Sequence, residues 1–256
     1  MLSGKSILVA FSGGVDSTVL AHVAKKCASK IILLTIASPT VPENELRNAI
    51  TVANELGLEL KEDSINWLEL SNLSENPVDR CYTCKRALAD LWLKNAQKLG
   101  FGTVIEGTTA TETDGYRPGL AALKESGVDS PYLQVGITKA EIREYARENH
   151  LSIAEKPSGA CLASRFPYGT EITGERLAMV ATVEEKVREI FGVECVRARF
   201  HGNLVRIEVG SEEFSKMYDQ EKLHQLDNAA KNAGFTYVTL DLQGYRTGAM
   251  DEGLSS

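Results

Sequence analysis

A short polar motif near the start of the chain has the residue types of a phosphate-binding loop. The string SGGVDS at residues 12–17 follows a short apolar run and opens a helix-like segment. Its two glycines let the backbone turn tightly and present N–H groups, and a helix N-terminus favours an anion. Asp16 is expected beside phosphates only if a Mg²⁺ ion shields its charge. The motif therefore predicts a nucleotide-phosphate site, with a plain glycine turn as the alternative; its candidate residues are Ser12, Gly13, Gly14, Asp16 and Ser17.

Three of the five cysteines have a spacing that suits metal or redox chemistry. Cys81 and Cys84 lie close together at the start of a predicted helix and share a face, and Cys161 lies far along the chain. Structural zinc takes four protein ligands, so three thiolates better suit a [4Fe–4S] cluster with one iron open to a ligand such as sulfide. A redox pair, a zinc site completed by His or carboxylate, and incidental thiols are the alternatives. Cys27 and Cys195 are expected to be structural.

The composition and charge of the chain exclude a membrane-spanning protein and disfavour a non-specific nucleic-acid-binding protein. The chain has 256 residues, of which 43% are hydrophobic, and a net charge of −7. These values are ordinary for a globular protein, and the negative charge disfavours non-specific nucleic-acid binding. No apolar run is long enough to span a membrane, and the first residues predict a strand and not a signal peptide. We therefore expect a cytoplasmic protein with reduced thiols and with neither a nucleic acid nor a membrane as partner.

The elements that must position these residues alternate between strands and helices over the first two thirds of the chain. Strands are predicted at Ser6–Phe11, Ile31–Ile36, Leu58–Glu62, Thr103–Glu106 and Pro131–Val135. Helices are predicted at Val15–Ala28, Pro42–Leu56, Arg80–Leu99 and Thr138–Asn149, the last with Glu141 in a capping box after Thr138. This alternation predicts an α/β fold with a doubly wound parallel sheet.

The pattern changes after about residue 165. A long helix at Gly174–Phe191 precedes a hairpin of Cys195–Phe200 and Leu204–Val209, and a helix at Glu221–Ala233 precedes a last strand at Phe235–Leu242. We therefore expect two domains, with their junction in the Pro- and Gly-containing segment Lys156–Thr170. Residues 1–165 would form the nucleotide-binding domain, and residues 166–256 a smaller α+β domain for substrate binding or oligomerisation.

Longer strings of the sequence resemble a known family. They are NPVDRCYTCKRAL at 76–88, YRPGLAALKESGVDSPYL at 116–133, KPSGACLASRFPYGTEIT at 156–173, RARFHGNLVRIEV at 197–209 and DLQGYRTGAM at 241–250. The SGGVDS motif itself resembles the PP-loop of the ATP pyrophosphatase superfamily. Together the strings resemble the LarE family of ATP-dependent sulfur transferases, which serve the nickel-pincer cofactor of lactate racemase, over nearly the whole chain.

The resemblance implies a reaction. ATP, with Mg²⁺, would adenylate a carboxylate of pyridinium-3,5-biscarboxylic acid mononucleotide and release pyrophosphate, after which a sulfur nucleophile would displace AMP. Cys161 matches the position of a cysteine that gives up its own sulfur in one branch of the family. The additional presence of Cys81 and Cys84 implies the other branch, in which three cysteines hold a [4Fe–4S] cluster and the sulfur comes as sulfide or from a sulfide donor. A homo-oligomer is expected.

Other functions stay open from the sequence. PP-loop tRNA thiolases also include enzymes that use three cysteines, although the acidic chain lacks a basic tail. A nucleotide-binding scaffold with a structural zinc ion would show no turnover. A synthetase that uses ammonia would need no thiol ligands.

The resemblance also suggests residues that contact the nucleotide. The end of the predicted second strand, with Thr35 and Ala37, would meet the adenosine, because nucleotides lie at the carboxyl ends of the strands in such folds. Asp114 and Arg117 are candidates in the loop that follows the fourth strand. This loop departs from the family pattern of an Asn and paired acids, since residues 107–112 are GTTATE.

A substrate rich in carboxylate and phosphate groups suits fixed guanidinium groups. Arg165, Arg197 and Arg199 are the candidate clamps, and the last two share one face of a strand. Glu185 and Glu208 match acidic positions of the family's active centre. A solvated surface position is the alternative for each of these residues.

Overall fold

The chain forms two units in the computed structural model, which describes residues 2–113, 118–157, 159, 161–246 and 248–249. One unit comprises Met1–Leu73 and Val78–Gly159, and the other comprises Ser74–Pro77 and Ala160–Ser256. The expected domains, residues 1–165 and 166–256, stay a prediction. Within the described residues, no helix is both long and apolar enough to cross a membrane.

A parallel sheet of four strands forms the centre of the first unit. Its strands are β1 (Ser6–Ala10), β2 (Lys30–Ala37), β3 (Leu60–Ser64) and β4 (Thr103–Ile105), in the order β3-β2-β1-β4. Val9 of β1 lies opposite Leu33 of β2 and Ile105 of β4. The chain moves outward from β1 to β3 and then returns to the other side of β1. The strand order therefore reverses between β1 and β4, which is where open α/β sheets bind ligands.

Helices cover both faces of this sheet. They are α1 (Val15–Lys25), α2 (Glu43–Leu56), α3 (Arg80–Leu99), α4 (Pro118–Ser126), α5 (Pro131–Val135) and α6 (Lys139–Glu148). Alternate residues of β1 point to opposite faces: Ile7 and Val9 pack in a cluster with residues of α1, α2 and α6. Leu8 and Ala10 pack in a second cluster with residues of α3 and α4. The doubly wound α/β fold expected from the sequence is confirmed.

One predicted strand is wrong. Residues Pro131–Val135 form the short helix α5 and not a fifth strand. Proline fits the first turn of a helix, where its missing N–H costs nothing, and Gly136 ends the helix with a φ of 76°. The neighbouring segment contributes only a single bridge, between Ile105 and Asp129.

The second unit contains a smaller sheet of three strands. Its elements are α7 (Gly174–Phe191), β5 (Val196–His201), β6 (Leu204–Val209), α8 (Gln220–Asn232) and β7 (Tyr237–Leu240). Strand β6 is antiparallel to β5 and parallel to β7. Val196, Ala198 and Phe200 form the buried apolar alternation of β5, whereas Arg197 and Arg199 take the positions between them.

A short segment from the first half of the sequence belongs to this second unit. The Asn76 side chain is fully buried, and its Nδ2 donates to the carbonyl oxygens of Phe166, at 3.1 Å, and of Pro167, at 2.8 Å. The backbone N–H of Ile172 donates to the carbonyl of Ser74 at 2.7 Å. Residues 74–77 thus supply hydrogen-bond partners to a loop that follows them by about ninety positions.

Candidate active site

The motif at residues 12–17 joins the carboxyl end of β1 to the N-terminus of α1, as the sequence predicts. Gly13 has a φ of 69°, and a Cβ atom at this position would lie 2.6 Å from the Cα of Ala49 in α2. Both the backbone conformation and the close approach of α2 therefore require glycine. Asn48 Nδ2 donates to the Gly13 carbonyl at 2.9 Å, which fixes the loop against α2.

The two serines of the motif shape the loop from within. Ser17 Oγ donates to the Gly14 carbonyl at 3.1 Å and accepts from the backbone N–H of Ser12 at 3.3 Å. Ser12 Oγ accepts from the Gly14 N–H at 3.3 Å, and Ser12 is exposed whereas Ser17 is buried. Gly14, the N-cap residue of α1, has no side chain to cap the first N–H groups. These N–H groups and the partial positive charge of the helix end can receive an anion.

Asp16 lies on the first turn of α1 and has one oxygen paired and one without a partner. Its Oδ2 pairs with Nζ of Lys139, the first residue of α6. Its Oδ1 is buried and has no hydrogen-bond partner among the described residues. Tyr132 donates its hydroxyl to the Asp16 carbonyl at 3.2 Å, and burial, assisted by the Asp16 charge, raises the pKa of Tyr132, which stays a neutral donor. A negatively charged oxygen without a partner fits Mg²⁺, which prefers such ligands.

The carboxyl end of β4 packs against the same loop. A Cβ atom on Gly107 would lie 3.2 Å from the backbone nitrogen of Ser17. The residue before it, Glu106, is buried and accepts hydrogen bonds from Thr108 N at 3.1 Å, from Thr108 Oγ1 at 2.6 Å and from Ser130 Oγ. Glu106 thus fixes the turn that brings Gly107 against the phosphate loop.

The structure locates two of the residues predicted to contact the nucleotide outside the loop, and the contacts themselves stay a prediction. Thr35 is buried within β2, and Ala37 is half-buried at the last position of that strand, opposite Ser64 of β3. Both lie toward the carboxyl end of the sheet. Asp114 and Arg117 lie outside the described residues.

In the second unit, Arg165 forms a buried ion pair. Its Nε and Nη2 donate to the two carboxylate oxygens of Glu184 at 2.6 and 3.1 Å, and both side chains are 2% exposed. Glu184 also accepts from Arg188 at 3.2 Å and from the backbone N–H of Ala198 at 3.0 Å. Burial alone would raise the pKa of Glu184, but Arg165 and these donors hold it below its usual value.

A second buried charge group lies on the hairpin. Arg199 and Arg206 are directly opposite each other in the register of β5 and β6. Glu208, which is fully buried, accepts from Arg199 at 2.7 Å and from Arg206 at 3.0 Å, and Asp241 pairs with Arg206 at 3.2 Å. Like charges opposite each other destabilise a strand pair, so the shared carboxylate is needed to hold the two guanidinium groups together.

The other predicted residues of the second unit take different environments. Arg197 is buried, donates to the Val196 carbonyl at 2.8 Å and stacks at 4.8 Å on the ring of Tyr245. Burial, followed by the charge of Arg165, lowers the pKa of Arg197. Glu185 is exposed on α7, whereas the adjacent Glu184 is the buried residue. The role predicted for Glu185 stays a prediction.

A cavity of about 190 Å³ opens between the hairpin and the segment that follows Cys161. Arg199, Arg206, His201 and Ser164 line it, together with Arg165. Arg199 Nη1 donates to the Ser164 carbonyl at 2.7 Å, which fixes this wall. Burial, followed by the charges of Arg206 and Arg199, lowers the pKa of His201, so its ring is neutral at neutral pH. The chemistry of this lining suits an anion of the size of a carboxylate or a phosphate.

The cysteines are all thiols and not disulfides. Cys81 is exposed and Cys84 half-buried on the first turn of α3, and Cys161 is exposed ahead of a 3₁₀ turn at Leu162–Arg165. Three soft thiolates match iron–sulfur chemistry in kind. However, across the part of the chain that the structure describes, no group of three His, Cys, Asp or Glu side chains is arranged to hold a metal ion. The structure therefore does not support the [4Fe–4S] cluster.

No role in these sites was predicted from the sequence for four residues, namely Glu106, Lys139, Glu184 and Arg206. Two of them had a usable signal. Glu106 directly follows the apolar residues of β4, and carboxyl ends of parallel strands converge on the ligand side. Arg206 lies two residues from Glu208 and so shares its face of β6. For Lys139 and Glu184 no local signal was available, because their partners are distant in the sequence.

Comparison with known proteins gives both a partial and a nearly complete match. Residues 2–83 match the family model described as NAD synthase. An uncharacterized protein of Synechocystis is 38% identical over 97% of this chain and 92% of its own length. The pyridinium-3,5-bisthiocarboxylic acid mononucleotide synthase of Lactiplantibacillus plantarum is 30% identical over 97% of this chain and 90% of its own length. The NH(3)-dependent NAD(+) synthetase of Pyrobaculum aerophilum is 28% identical over 74% of the chain and 72% of its own length.

Proposed function

The chain belongs to the family of the pyridinium-3,5-bisthiocarboxylic acid mononucleotide synthase, the LarE family, and from this premise we propose that it is an ATP-dependent sulfur transferase. Its substrate would be pyridinium-3,5-biscarboxylic acid mononucleotide, and its products the corresponding thiocarboxylic acids, AMP and pyrophosphate. The observation that carries the proposal is the similarity over nearly the whole length of both chains, which includes both units and not only the nucleotide-binding loop.

The phosphate loop would hold the triphosphate of ATP. The N–H groups at the start of α1 and the exposed hydroxyl of Ser12 are the donors for the phosphate oxygens. The unpartnered Oδ1 of Asp16 would hold Mg²⁺, which neutralises phosphate charge when it is bound. Lys139, already beside Asp16, supplies a further positive charge next to the loop.

The arginine-lined cavity of the second unit would hold an anionic group of the pyridinium substrate. Three guanidinium groups, those of Arg165, Arg199 and Arg206, line this cavity, and none of its lining residues is acidic. A lining with these donors and without a carboxylate supports the binding of an anion. The walls are pre-formed by the contacts of Arg199 with Ser164 and Glu208, so little ordering is needed on binding.

Adenylation converts the carboxylate oxygen into part of a good leaving group. A bound sulfur nucleophile would then attack the acyl carbon, form the C–S bond and expel AMP. For the sulfur source the proposal rests on the sequence alone: Cys81, Cys84 and Cys161 would hold a [4Fe–4S] cluster that provides sulfide, with a sacrificial Cys161 as the other family route. The enzyme is expected to act in the cytoplasm as a homo-oligomer.

The proposal is tested by following the product. The purified protein is incubated with the pyridinium dicarboxylate mononucleotide, Mg·ATP and sulfide, and the product is identified by mass spectrometry while pyrophosphate is measured. A thiocarboxylate formed with one pyrophosphate per sulfur supports the function. Absence of the thiocarboxylate when the protein binds both substrates would contradict it.

A second candidate is an ammonia-dependent synthetase. The match of residues 2–83 to the NAD synthase model and the similarity to the Pyrobaculum aerophilum synthetase favour it. It predicts an amide product when ammonium replaces sulfide in the same assay. It also predicts that a variant with Ser in place of Cys81, Cys84 and Cys161 keeps its activity.

A further inference from the structure

One turn of α2 contacts two separate segments of the first unit. Asn48 and Ala49 hold Gly13 of the phosphate loop, through a 2.9 Å hydrogen bond and close backbone packing. Glu45, three positions earlier on the same face, pairs with Nζ of Lys156 at 2.7 Å. A Cβ atom on Gly159 would lie 3.1 Å from the Glu45 carboxylate, so the backbone of Gly159 rests directly on this group.

Helix α6 contacts the same two segments from its own first turns. Lys139 pairs with Asp16 of the phosphate loop. Arg143, one turn later, donates to the carbonyl oxygens of Ala154 at 2.5 Å and of Lys156 at 2.9 Å. Two helices therefore each join the phosphate loop to the stretch around Lys156, and Cys161 follows this stretch in the sequence.

The contacts to Lys156 and Gly159 are specific and partly shielded from water. The side chains of Lys156 and Glu45 are 24% and 22% exposed, whereas the neighbouring pair Arg47–Glu43 on α2 is 61% and 81% exposed. Exposed pairs contribute little, and partly buried pairs are less screened by salt. On the phosphate-loop side, Mg²⁺ at Oδ1 of Asp16 would add a second cation beside the pair that Lys139 forms with Oδ2.

We propose that Glu45 and Arg143 are positioning residues that couple nucleotide binding at the phosphate loop to the backbone segment that leads to Cys161. This inference rests on the proposed function, because it requires that the loop binds ATP. Nucleotide and Mg²⁺ would bind at the loop of Gly13 and Asp16, which α2 and α6 contact through Asn48 and Lys139. One turn away on each helix, Glu45 and Arg143 contact Lys156. A loop fixed by its ligand therefore fixes both helices, and the segment of Lys156 becomes more tightly held. The segment before the cysteine, already in contact with Glu45 and Arg143, is thus held more tightly when ATP is in place.

The coupling is measured by hydrogen–deuterium exchange of the peptide that covers residues 151–162, with and without Mg²⁺ and an ATP analogue that carries a methylene group between the α and β phosphorus atoms. The wild-type protein should show slower exchange of this peptide with the analogue, by about fivefold or more if the coupling has the usual strength. Nucleotide affinity is measured separately by calorimetry on the same samples.

The decisive variant is Glu45→Gln, which removes the charge and keeps the shape. It should bind the analogue with nearly unchanged affinity but lose most of the protection, and the charge-swapped protein with Glu45→Lys and Lys156→Glu should regain it. Glu43→Gln, on the same helix with an exposed partner, is the matched control and should behave like the wild type.

Each other outcome overturns the inference. Equal protection in Glu45→Gln and in the wild type would mean that the nucleotide shields the segment directly. Binding without protection in the wild type would remove the coupling and leave the proposed function intact. Failure to bind the analogue at all would remove both, so the two failures are distinguishable.

Discussion

The single residue with the largest expected effect on the chemistry is Asp16. One of its oxygens is paired with Lys139 and the other is buried without a partner, so the residue has an acceptor available for a cation. No serine of the loop offers the same charge. In the proposed function, the binding of Mg·ATP therefore depends most on this one carboxylate.

Asp16→Asn is expected to lower pyrophosphate release, measured with ATP and the pyridinium substrate, by about a hundredfold or more, since one preorganised charged group at the phosphates is lost. Its melting temperature should stay close to that of the wild type, because asparagine fills the same space. Asp90→Asn, an exposed position on α3, is the control. Near-wild-type release from Asp16→Asn would contradict the assignment of the loop.

Arg199 is the clamp that the structure places most directly on the cavity. Arg199→Met should weaken binding of the pyridinium substrate by on the order of 2–5 kcal/mol, as found when one partner of a buried charge pair is removed, and leave ATP affinity within twofold. Lys231→Met removes one positive charge from an exposed position of the same unit and should change neither. Equal losses for ATP and substrate would show that Arg199 acts through the fold.

The pair of Arg165 and Glu184 is expected to contribute mainly to stability. Arg165→Met leaves a buried carboxylate with fewer partners and should lower the free energy of unfolding, measured in urea, by about 3–5 kcal/mol. The double variant with Glu184→Gln should recover part of this loss. A change below 1 kcal/mol, as is typical for an exposed pair such as Arg47–Glu43, would contradict the burial of the pair.

The pH dependence of the same pair has a definite sign. The folded protein holds the pKa of Glu184 below its usual value of 4.5, so the pair stabilises the protein above this pH and the contribution is lost as the pH falls through the folded pKa. Urea unfolding of the wild type should therefore lose stability in acid more steeply than unfolding of Glu184→Gln. Identical pH profiles would show that Glu184 titrates as it does in the unfolded chain.

At the scale of elements, helices with clear ends were predicted closely, but α4 (Pro118–Ser126) was not predicted from the sequence. The bounds of α3 and α7 agree with the predicted helices, and α6 begins with the capping box of Thr138 and Glu141. The strand predicted at residues 131–135 was wrong because a run of five mostly apolar residues fits a strand and a short helix equally well. Only tertiary packing decides between the two.

The same limit applies to the site. The placement of residues 12–17 between β1 and α1 depends on local sequence and could be predicted, whereas phosphate binding by this loop stays a prediction. Glu184 and Glu185 differ by about 100° around α7, and their order in the sequence does not say which of them faces Arg165. Lys139 meets Asp16 across 123 residues, a contact that only the fold creates.

A comparison of Gly13 in the phosphate loop with Gly100 at the end of α3 distinguishes the effect of backbone strain from the effect of steric contact. Gly13 and Gly100 both have a positive φ, but only Gly13 is in close contact with a neighbouring backbone, that of Ala49. Gly100→Ala should cost about 1–2 kcal/mol of stability from strain alone. Gly13→Ala should cost more and also weaken ATP binding, because α2 has to move away. Equal costs measured by urea unfolding, with unchanged ATP affinity, would contradict the close contact.

At the scale of the whole molecule, a net charge of −7 coexists with an arginine-lined cavity in the second unit. Such a distribution disfavours large polyanions over most of the surface and still provides a local site for a small anionic substrate. The charge pattern thus agrees with an enzyme that acts on a small molecule.

Two measurements on the whole protein decide between the sulfur sources. Protein purified without oxygen should contain iron and sulfide if the cluster prediction is right, and each single Cys→Ser variant at residues 81, 84 and 161 should lose iron. If Cys161 is sacrificial, its sulfur passes to the product and the residue becomes dehydroalanine, so the intact mass should instead fall by about 34 Da after one turnover, the mass of one sulfur and two hydrogens. Iron-free, active protein with this mass loss would contradict the cluster.

The placement of residues 74–77 has a consequence for folding during synthesis on the ribosome. Asn76 emerges from the ribosome 90 residues before Phe166, whose carbonyl it binds. At about 5–20 residues per second, this polar side chain waits roughly 5 to 20 s for its partner. During synthesis, residues 74–77 therefore stay without these partners until the loop around Phe166 has been made. A version of the second unit expressed from residue 160 onward would lack this stretch entirely and would leave the carbonyl groups of Phe166 and Pro167 without their donor.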